Sequence, residues 1–592
     1  MAKSLFSFFC VALAILAGAA LYSCNKDDII ESTLPPKIEL DSENGIYTVA
    51  VGKSLTIAPV YKNMDGGNVS YKWSIDGQTV ATTPSFTSAW PNVGEYYVIV
   101  TATNDAGSAS EEILVKVTEP AAPVISLPVS SAEITIAAGT EYVITPEISN
   151  SDVEGFAVTW TVNGKEAGKE ATFKFSAEET GTYAVSVTAT NADGSDTRTF
   201  NIKVVDKLPY ELSFPTPGYL IKSTARYTFA GRPVYLTPII GSTVPTVFSW
   251  SVDGKASECS ARTFVFTPQE PGEYTVNLTV DGGATAGVKV ICVDATESSR
   301  YRAPTASSSA SATTVFEWIP APGQFINDTG TGGMTGAETT PQLANAWAKK
   351  RLDGNSFVTL GGFGGHIIVG FDHSISKKEG NYDFSILANA FLNATTGTGG
   401  SNEPGIVYVM QDVNGNGLPD DEWYELRGSE TGNASTRQDY AVTYFRPASA
   451  GMNVQWSDNY GATGTIDYLG AFHRQDYYYP AWIDADSYTL RGTCLAARTS
   501  QDASTGFWDN SAFAWGYADN MGSDNITGGD GTTGEGQRNG FLIENAMFPD
   551  LNHINLQYID FIKVQTGINS KAGWLGEVST EVFGFRDLNI SK

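Results

Sequence analysis

The stretch Tyr71-Lys72-Trp73-Ser74-Ile75-Asp76-Gly77-Gln78 recurs as Val158-Thr159-Trp160-Thr161-Val162-Asn163-Gly164-Lys165 and again as Phe248-Ser249-Trp250-Ser251-Val252-Asp253-Gly254-Lys255. The three tryptophans lie 87 and 90 residues apart, and Tyr96, Tyr183 and Tyr274 follow them after 23, 23 and 24 residues. Self-similarity at a near-constant period marks a repeat architecture and takes precedence over any local motif. Each tyrosine opens an alternating run: Tyr96, Val98, Val100 and Ala102 match Tyr183, Val185, Val187 and Ala189, then Tyr274, Val276, Leu278 and Val280. Period two over this length predicts a strand with one face buried and one wet. The Asp-Gly or Asn-Gly after each Trp strand supplies the positive φ angles of a tight hairpin.

About seven such strands per repeat, with a Trp between two sheets, describe an immunoglobulin-like sandwich. The repeats resemble PKD-type domains over residues 36–118, 122–206 and 209–294, with Asp-Gly or Asn-Gly where that family usually carries Trp-Asp-Phe-Gly-Asp-Gly. Their Trp and Tyr fall at core positions, which gives the repeats a structural role. Joined by short linkers such as Glu119-Pro120-Ala121-Ala122-Pro123, they predict a stalk that holds the rest of the chain away from a membrane. Residues 295–314 form a Ser/Ala-rich linker in which Ala303 to Ser311 reads as a flexible joint.

Beyond the linker the repeat ends, and residues 315–592 read as one larger β-sandwich with long loops. One helix is expected, with Thr340 as N-cap, Pro341 at the first position and Leu343, Ala344, Trp347, Ala348 and Leu352 on one face, ending near Gly354. The fold class is therefore all-β: three tandem immunoglobulin-like sandwiches followed by a larger sandwich. The length of 592 residues fits several domains, and 11% aromatic with 17% charged residues excludes a disordered chain or a coiled coil.

The net charge of −28 divides evenly, with 19 basic and 33 acidic residues before position 300 and 18 and 32 from there on. Such a field repels phosphate backbones and anionic membranes, so nucleic acid is not an expected partner. Residues 1–23 read as an export signal, with Lys3 ahead of an apolar stretch from Leu5 to Leu21. The stretch ends in Leu21-Tyr22-Ser23-Cys24, which resembles a bacterial lipobox and implies acylation of Cys24, with 24–35 as a tether. Asn25-Lys26-Asp27-Asp28 looks like the acidic signal that sends Bacteroidetes lipoproteins to the outer face of the outer membrane. Membrane contact is then through the lipid anchor only. Cys259 and Cys292 share one repeat and either pair in an oxidising compartment or stand as separate buried thiols; Cys494 lies in an apolar run and reads as core.

The strongest chemical motif is Asp412-Val413-Asn414-Gly415-Asn416-Gly417-Leu418-Pro419-Asp420-Asp421-Glu422. Oxygen side chains at positions 1, 3, 5 and 9 (Asp412, Asn414, Asn416 and Asp420), Gly at 6 and the Leu418 carbonyl at 7 repeat the spacing with which a loop wraps Ca²⁺. Position 12 is Trp423, so closure falls to Asp421, Glu422, Glu425 or a distant segment, with Glu422 taken as the ligand. The alternative is a merely polar hairpin. A saturated oxygen cage makes the ion structural rather than catalytic.

Together with that loop, the runs Gly364 to His373, Asp383 to Phe391 and Gly573 to Glu581 look like the terminal domain of a Bacteroidetes family of PKD-like cell-surface lipoproteins. The resemblance implies association with a neighbouring TonB-dependent outer-membrane transporter and, in some relatives, capture of cobalamin. An aromatic concentration between Trp456 and Tyr517, including Tyr478, Trp482, Trp508, Trp515 and Tyr517, suits a glycan or a flat corrin ring but also suits a sandwich core. The loop Gly522 to Gly531 reads as a lid or a mobile segment. His366 and His373, seven apart, fall on opposite strand faces and make poor metal geometry. No His-Glu-x-x-His, Gly-x-Ser-x-Gly or Walker loop occurs, so no enzyme activity is expected, although a carboxylate pair has no local spacing rule. Nutrient capture at the cell surface is the expected function; a structural adhesin or surface-layer role and glycan hydrolysis are the alternatives.

Overall fold

The computed structural model describes residues 34–590, apart from 43, 65–67, 120–121, 242, 331–333, 394–396, 398, 504–505 and 527–536. Cys24, the signal and most of the tether lie outside the described residues, as does the 527–531 part of the expected lid. The first repeat orders its main sheet Ile46–Ala50, Gly107–Thr118, Gly94–Asn104, Ser70–Ile75, Gln78–Ala81, with the first pairing parallel and the others antiparallel. Ser54–Ile57 and Phe86–Ala89 pair as a second layer. The second and third repeats reproduce the order, from Glu133–Ala137 beside Gly194–Val205 and from Ala225–Thr228 beside Ala284–Cys292, again parallel.

The repeated residues do the same work each time. Trp73, Trp160 and Trp250 are buried and stack on Phe86, Phe173 and Phe264 at 5.4, 4.8 and 5.2 Å. Each indole N–H donates to a backbone carbonyl, of Thr83, Glu170 and Ala261, at 2.8, 3.0 and 2.9 Å, so the ring enters the core without an unpaired donor. Tyr96, Tyr183 and Tyr274 donate from their hydroxyls to the carbonyls of Asn92, Glu179 and Glu270 at 3.1, 2.9 and 2.9 Å, pinning the corner ahead of the strand. The hairpin pairs Asp76-Gly77, Asn163-Gly164 and Asp253-Gly254 take φ of 50 and 76°, 50 and 75°, and 50 and 76°. Cys259 and Cys292 are unpaired, as is Cys494, whose thiol is pushed up to about 11 by burial.

In the C-terminal part, a six-stranded antiparallel sheet runs Thr314–Ile319, His366–Ser376, Tyr558–Thr566, Gly405–Met410, Tyr424–Leu426, Ala546–Met547. A four-stranded sheet centred on Arg437–Phe445 and a three-stranded one centred on Phe384–Ala388 share one core with it. The helix spans Pro341–Asp353, with the Thr340 hydroxyl accepting from Leu343 N at 3.3 Å. Ala344, Trp347, Ala348 and Leu352 are buried, but Leu343, at 48% exposed, faces out.

Two expectations about organisation are overturned. The Ala303 to Ser311 run is no free joint: Ser308 and Ala310 are buried, Ser309 N donates to Asp372 at 3.2 Å and Asp587 N to the Ala310 carbonyl at 2.8 Å. Its small side chains let the backbone lie against a sheet edge. Nor do the repeats extend as a stalk, because all three touch the C-terminal domain. From the first, Glu95 pairs with Arg474 at 3.2 Å and Lys116 sits 4.6 Å over the Tyr468 ring. From the second, Glu147 accepts from Asn453 N at 2.9 Å and Ser126 from Ala448 N at 3.3 Å. The third adds Tyr219 N and Leu220 N donating to Glu317 at 2.8 and 2.6 Å, and Arg262 on Asp439 at 2.7 Å. Short linkers limit the spacing of domains but not their direction, and these polar contacts bend the chain back.

Candidate metal centre and ligand surface

The loop 411–423 joins two strands of the six-stranded sheet and is built around inward oxygens. Asp412 accepts from Asn416 N and Gly417 N at 3.0 and 2.9 Å, and Asn414 Oδ1 accepts from Asn416 N at 3.0 Å. Asn416 Oδ1 accepts from Leu418 N at 2.7 Å. The amide nitrogens of Asn414 and Asn416 both converge on Asp420, at 2.9 and 3.0 Å. A half turn of each amide would present oxygen there instead, since the two ends are alike in outline. Gly415 takes φ +74°, the left-handed region that favours glycine, and the end of the Arg300 side chain packs where its Cβ would stand.

Glu422, expected as the sixth ligand, turns out of the loop and pairs with Arg226 Nε at 2.8 Å. Glu425 accepts from Thr493 Oγ1 at 2.5 Å on the sheet beyond. Asp421 turns in. Its Oδ2 accepts from Val413 N at 2.8 Å, while Oδ1 is buried with no hydrogen-bond partner. Burial, with the Asp420 and Asp412 charges beside it, pushes this carboxyl up to about 9. A buried carboxylate oxygen left without a donor, among acids and amide oxygens, is what a hard divalent cation would satisfy. The residues fit Ca²⁺, with Asp421 in place of Glu422.

The aromatic residues divide. Tyr478, Trp482 and Tyr517 are 1, 3 and 3% exposed, so the structure removes them from any ligand surface. Trp482 completes a core stack with Trp318 and Trp347, at 4.8 and 4.7 Å between successive rings. Trp515 is partly exposed and lines a cavity of about 230 Å³ with Tyr382, Arg427, Asp524 and Phe541. Trp508 is half-buried and packs on Gly573, where no Cβ would fit. Next to it Phe507 is exposed, and Trp574 and Phe472 are exposed with rings 6.3 Å apart. Phe472 and Phe507 belong to the aromatic concentration of the sequence, but Trp574 was not connected with Phe472, because no spacing links them.

Three of the four histidines are held by carboxylates. His366 meets Glu317 at 2.7 Å, His373 lies between Asp372 and Asp587 at 2.7 and 2.9 Å, and His473 meets Asp328 at 3.0 Å. A second group went unread in the sequence: Glu403, Asp519 and Glu581 bring carboxylate oxygens within 4.8 Å of one another. Asp519 accepts from Asn389 N and Glu581 N at 3.2 and 3.0 Å, and Glu581 from Thr359 and Ser579 hydroxyls at 3.1 and 2.6 Å. Burial raises all three carboxyls; repulsion from the neighbouring acids adds to this at Glu403 and Asp519, while hydrogen bonds from Ser579 and Thr359 oppose it at Glu581. Three positions so far apart in sequence leave no local signature.

A family described as the PKD-like domain matches residues 35–104 and 122–191. No curated relative matches the chain. Among solved structures it is similar to the fibronectin(III)-like modules of Clostridium thermocellum CbhA, at 18% identity over 30% of this chain and 98% of that one with a TM-score of 0.17. It is also similar to the extracellular domains 3–5 of Drosophila OTK, at 14% identity over 44% and 99% with a TM-score of 0.19. At such TM-scores neither likeness carries an argument. Among the described residues no helix is long and apolar enough to cross a membrane. Two repeats thus match the PKD-like domain family, and the third shares their fold.

Proposed function

We propose that the chain is a lipid-anchored protein of the outer-membrane surface, acylated at Cys24, whose C-terminal domain captures a corrinoid or a glycan for a neighbouring TonB-dependent transporter. The observation that carries this reading is the exposed pair of Phe472 and Trp574 beside Trp508. Large rings left in water on a domain that buries most of its other aromatics offer stacking faces for a flat ligand or a sugar ring. Ca²⁺ in the Asp412 loop is structural in this reading and takes no part in chemistry.

The test is a titration of the mature chain with cyanocobalamin and with a glycan panel, followed by Trp fluorescence, alongside Trp574→Ala. Saturable binding in one arm, weakened tenfold or more by the substitution, is expected. Absence of binding in both arms overturns capture and favours the adhesin reading, for which the tandem repeats speak; turnover of a glycan makes the protein a hydrolase.

A further inference from the structure

The loop 411–423 is not only a cation cage; it is also where the third repeat meets the C-terminal domain. Arg232 Nη1 donates to Gln411 Oε1 at 2.7 Å. The Tyr227 side chain lies close to Asn414, Asp420 and Asp421. Arg226, 6% exposed, pairs with Glu422, and Trp423 Nε1 donates to the Pro217 carbonyl at 2.8 Å. Loop residues that would hold the ion thus alternate with, or directly precede, residues that hold the repeat. Asp421 is followed at once by Glu422 and Trp423, so the position of one carboxylate fixes both docking contacts.

We propose that the Asp412 loop is a calcium-dependent clamp, in which the bound ion locks the third repeat onto the C-terminal domain. The proposal rests on the calcium reading of the loop and goes beyond it. Without a cation, the Oδ1 of Asp421 stays buried with no hydrogen-bond partner in the same loop as Asp412 and Asp420. Opening the loop lets water reach that oxygen, and it swings Glu422 and Trp423 away from Arg226 and Pro217. With Ca²⁺ bound, the loop holds its shape and the repeat stays docked. Because both events use one conformation, each strengthens the other by the same factor. An affinity of about 10⁻⁴ to 10⁻³ M, usual for extracellular calcium modules, would keep the clamp closed outside a cell and open it under chelation.

The test uses the mature chain with CaCl₂ or EGTA, reading Ca²⁺ binding by calorimetry and docking by amide hydrogen exchange. Tyr219 N and Leu220 N report docking because they donate across the interface to Glu317. Calcium should slow their exchange at least tenfold, and Asp421→Asn should abolish the effect. Arg226→Met contacts no ion ligand; it should speed exchange at Tyr219 and Leu220 and, by reciprocity, weaken Ca²⁺ binding several-fold. Calcium binding that leaves this exchange unchanged overturns the clamp while leaving the calcium site standing. No binding at millimolar Ca²⁺ overturns both. Unaltered Ca²⁺ affinity in Arg226→Met, with docking lost, also overturns the coupling.

Discussion

Trp160 shows how little freedom a repeat core leaves to one side chain. It is fully buried, stacked on Phe173 at an interplanar angle of 11° and tied by its N–H to Glu170. Trp160→Ala removes the ring and leaves its neighbours around a void, so a loss of about 3–5 kcal/mol is expected in denaturant unfolding of the second repeat. The fate of the other aromatics was not legible in the sequence, for a physical reason. Ring density says that a region is rich in stacking surface, but whether a ring points into a core is decided by backbone far away. Trp482 is drawn inward by Trp318, a residue remote in sequence, whereas Trp515 stays partly wet. The same holds for the metal loop: the spacing of Asp412, Asn414, Asn416 and Asp420 was readable, but Glu422 was lost to Arg226, a partner that no spacing rule connects.

The hairpin after each Trp strand is the element best read from sequence, because its backbone demand is local. Asn163 and Gly164 both take positive φ, and nothing lies within 4 Å of a Cβ at Gly164. Gly164→Ala therefore meets no clash, and its cost is conformational alone, about 1 kcal/mol; a fall in the midpoint of urea unfolding with unchanged slope would register it. The helix was readable for the same reason, since Thr340, Pro341 and Gly354 act on neighbouring backbone groups. Leu343 departs because a helix face is trimmed by whatever it packs against, and here the apolar stripe is narrower than the pattern implied.

Across the whole molecule, docking of the repeats was invisible in the sequence, since each contact joins segments far apart in the chain. Glu147 makes the docking of the second repeat weaken as pH rises. Burial raises its carboxyl to about 7, against the lowering effect of Asn453 N and with Asp467 nearby. A folded pKa above the ordinary carboxyl value means that the docked form holds the extra proton. The contribution is thus full below about pH 4.5 and lost as pH rises through about 7. Exchange at the Asn453 amide should be slower at pH 5 than at pH 8 after correction for intrinsic rates, and Glu147→Gln should flatten the difference. The parallel pairing of the first and last long strands in every repeat, Ile46–Ala50 with Gly107–Thr118 and its two counterparts, carries a mechanical meaning. Tension applied between the N-terminus and the C-terminal domain pulls those neighbours in opposite directions along their length. Their hydrogen bonds are then sheared together rather than peeled singly, so pulling a single molecule should give three abrupt ruptures of similar force, each at the yield of one repeat.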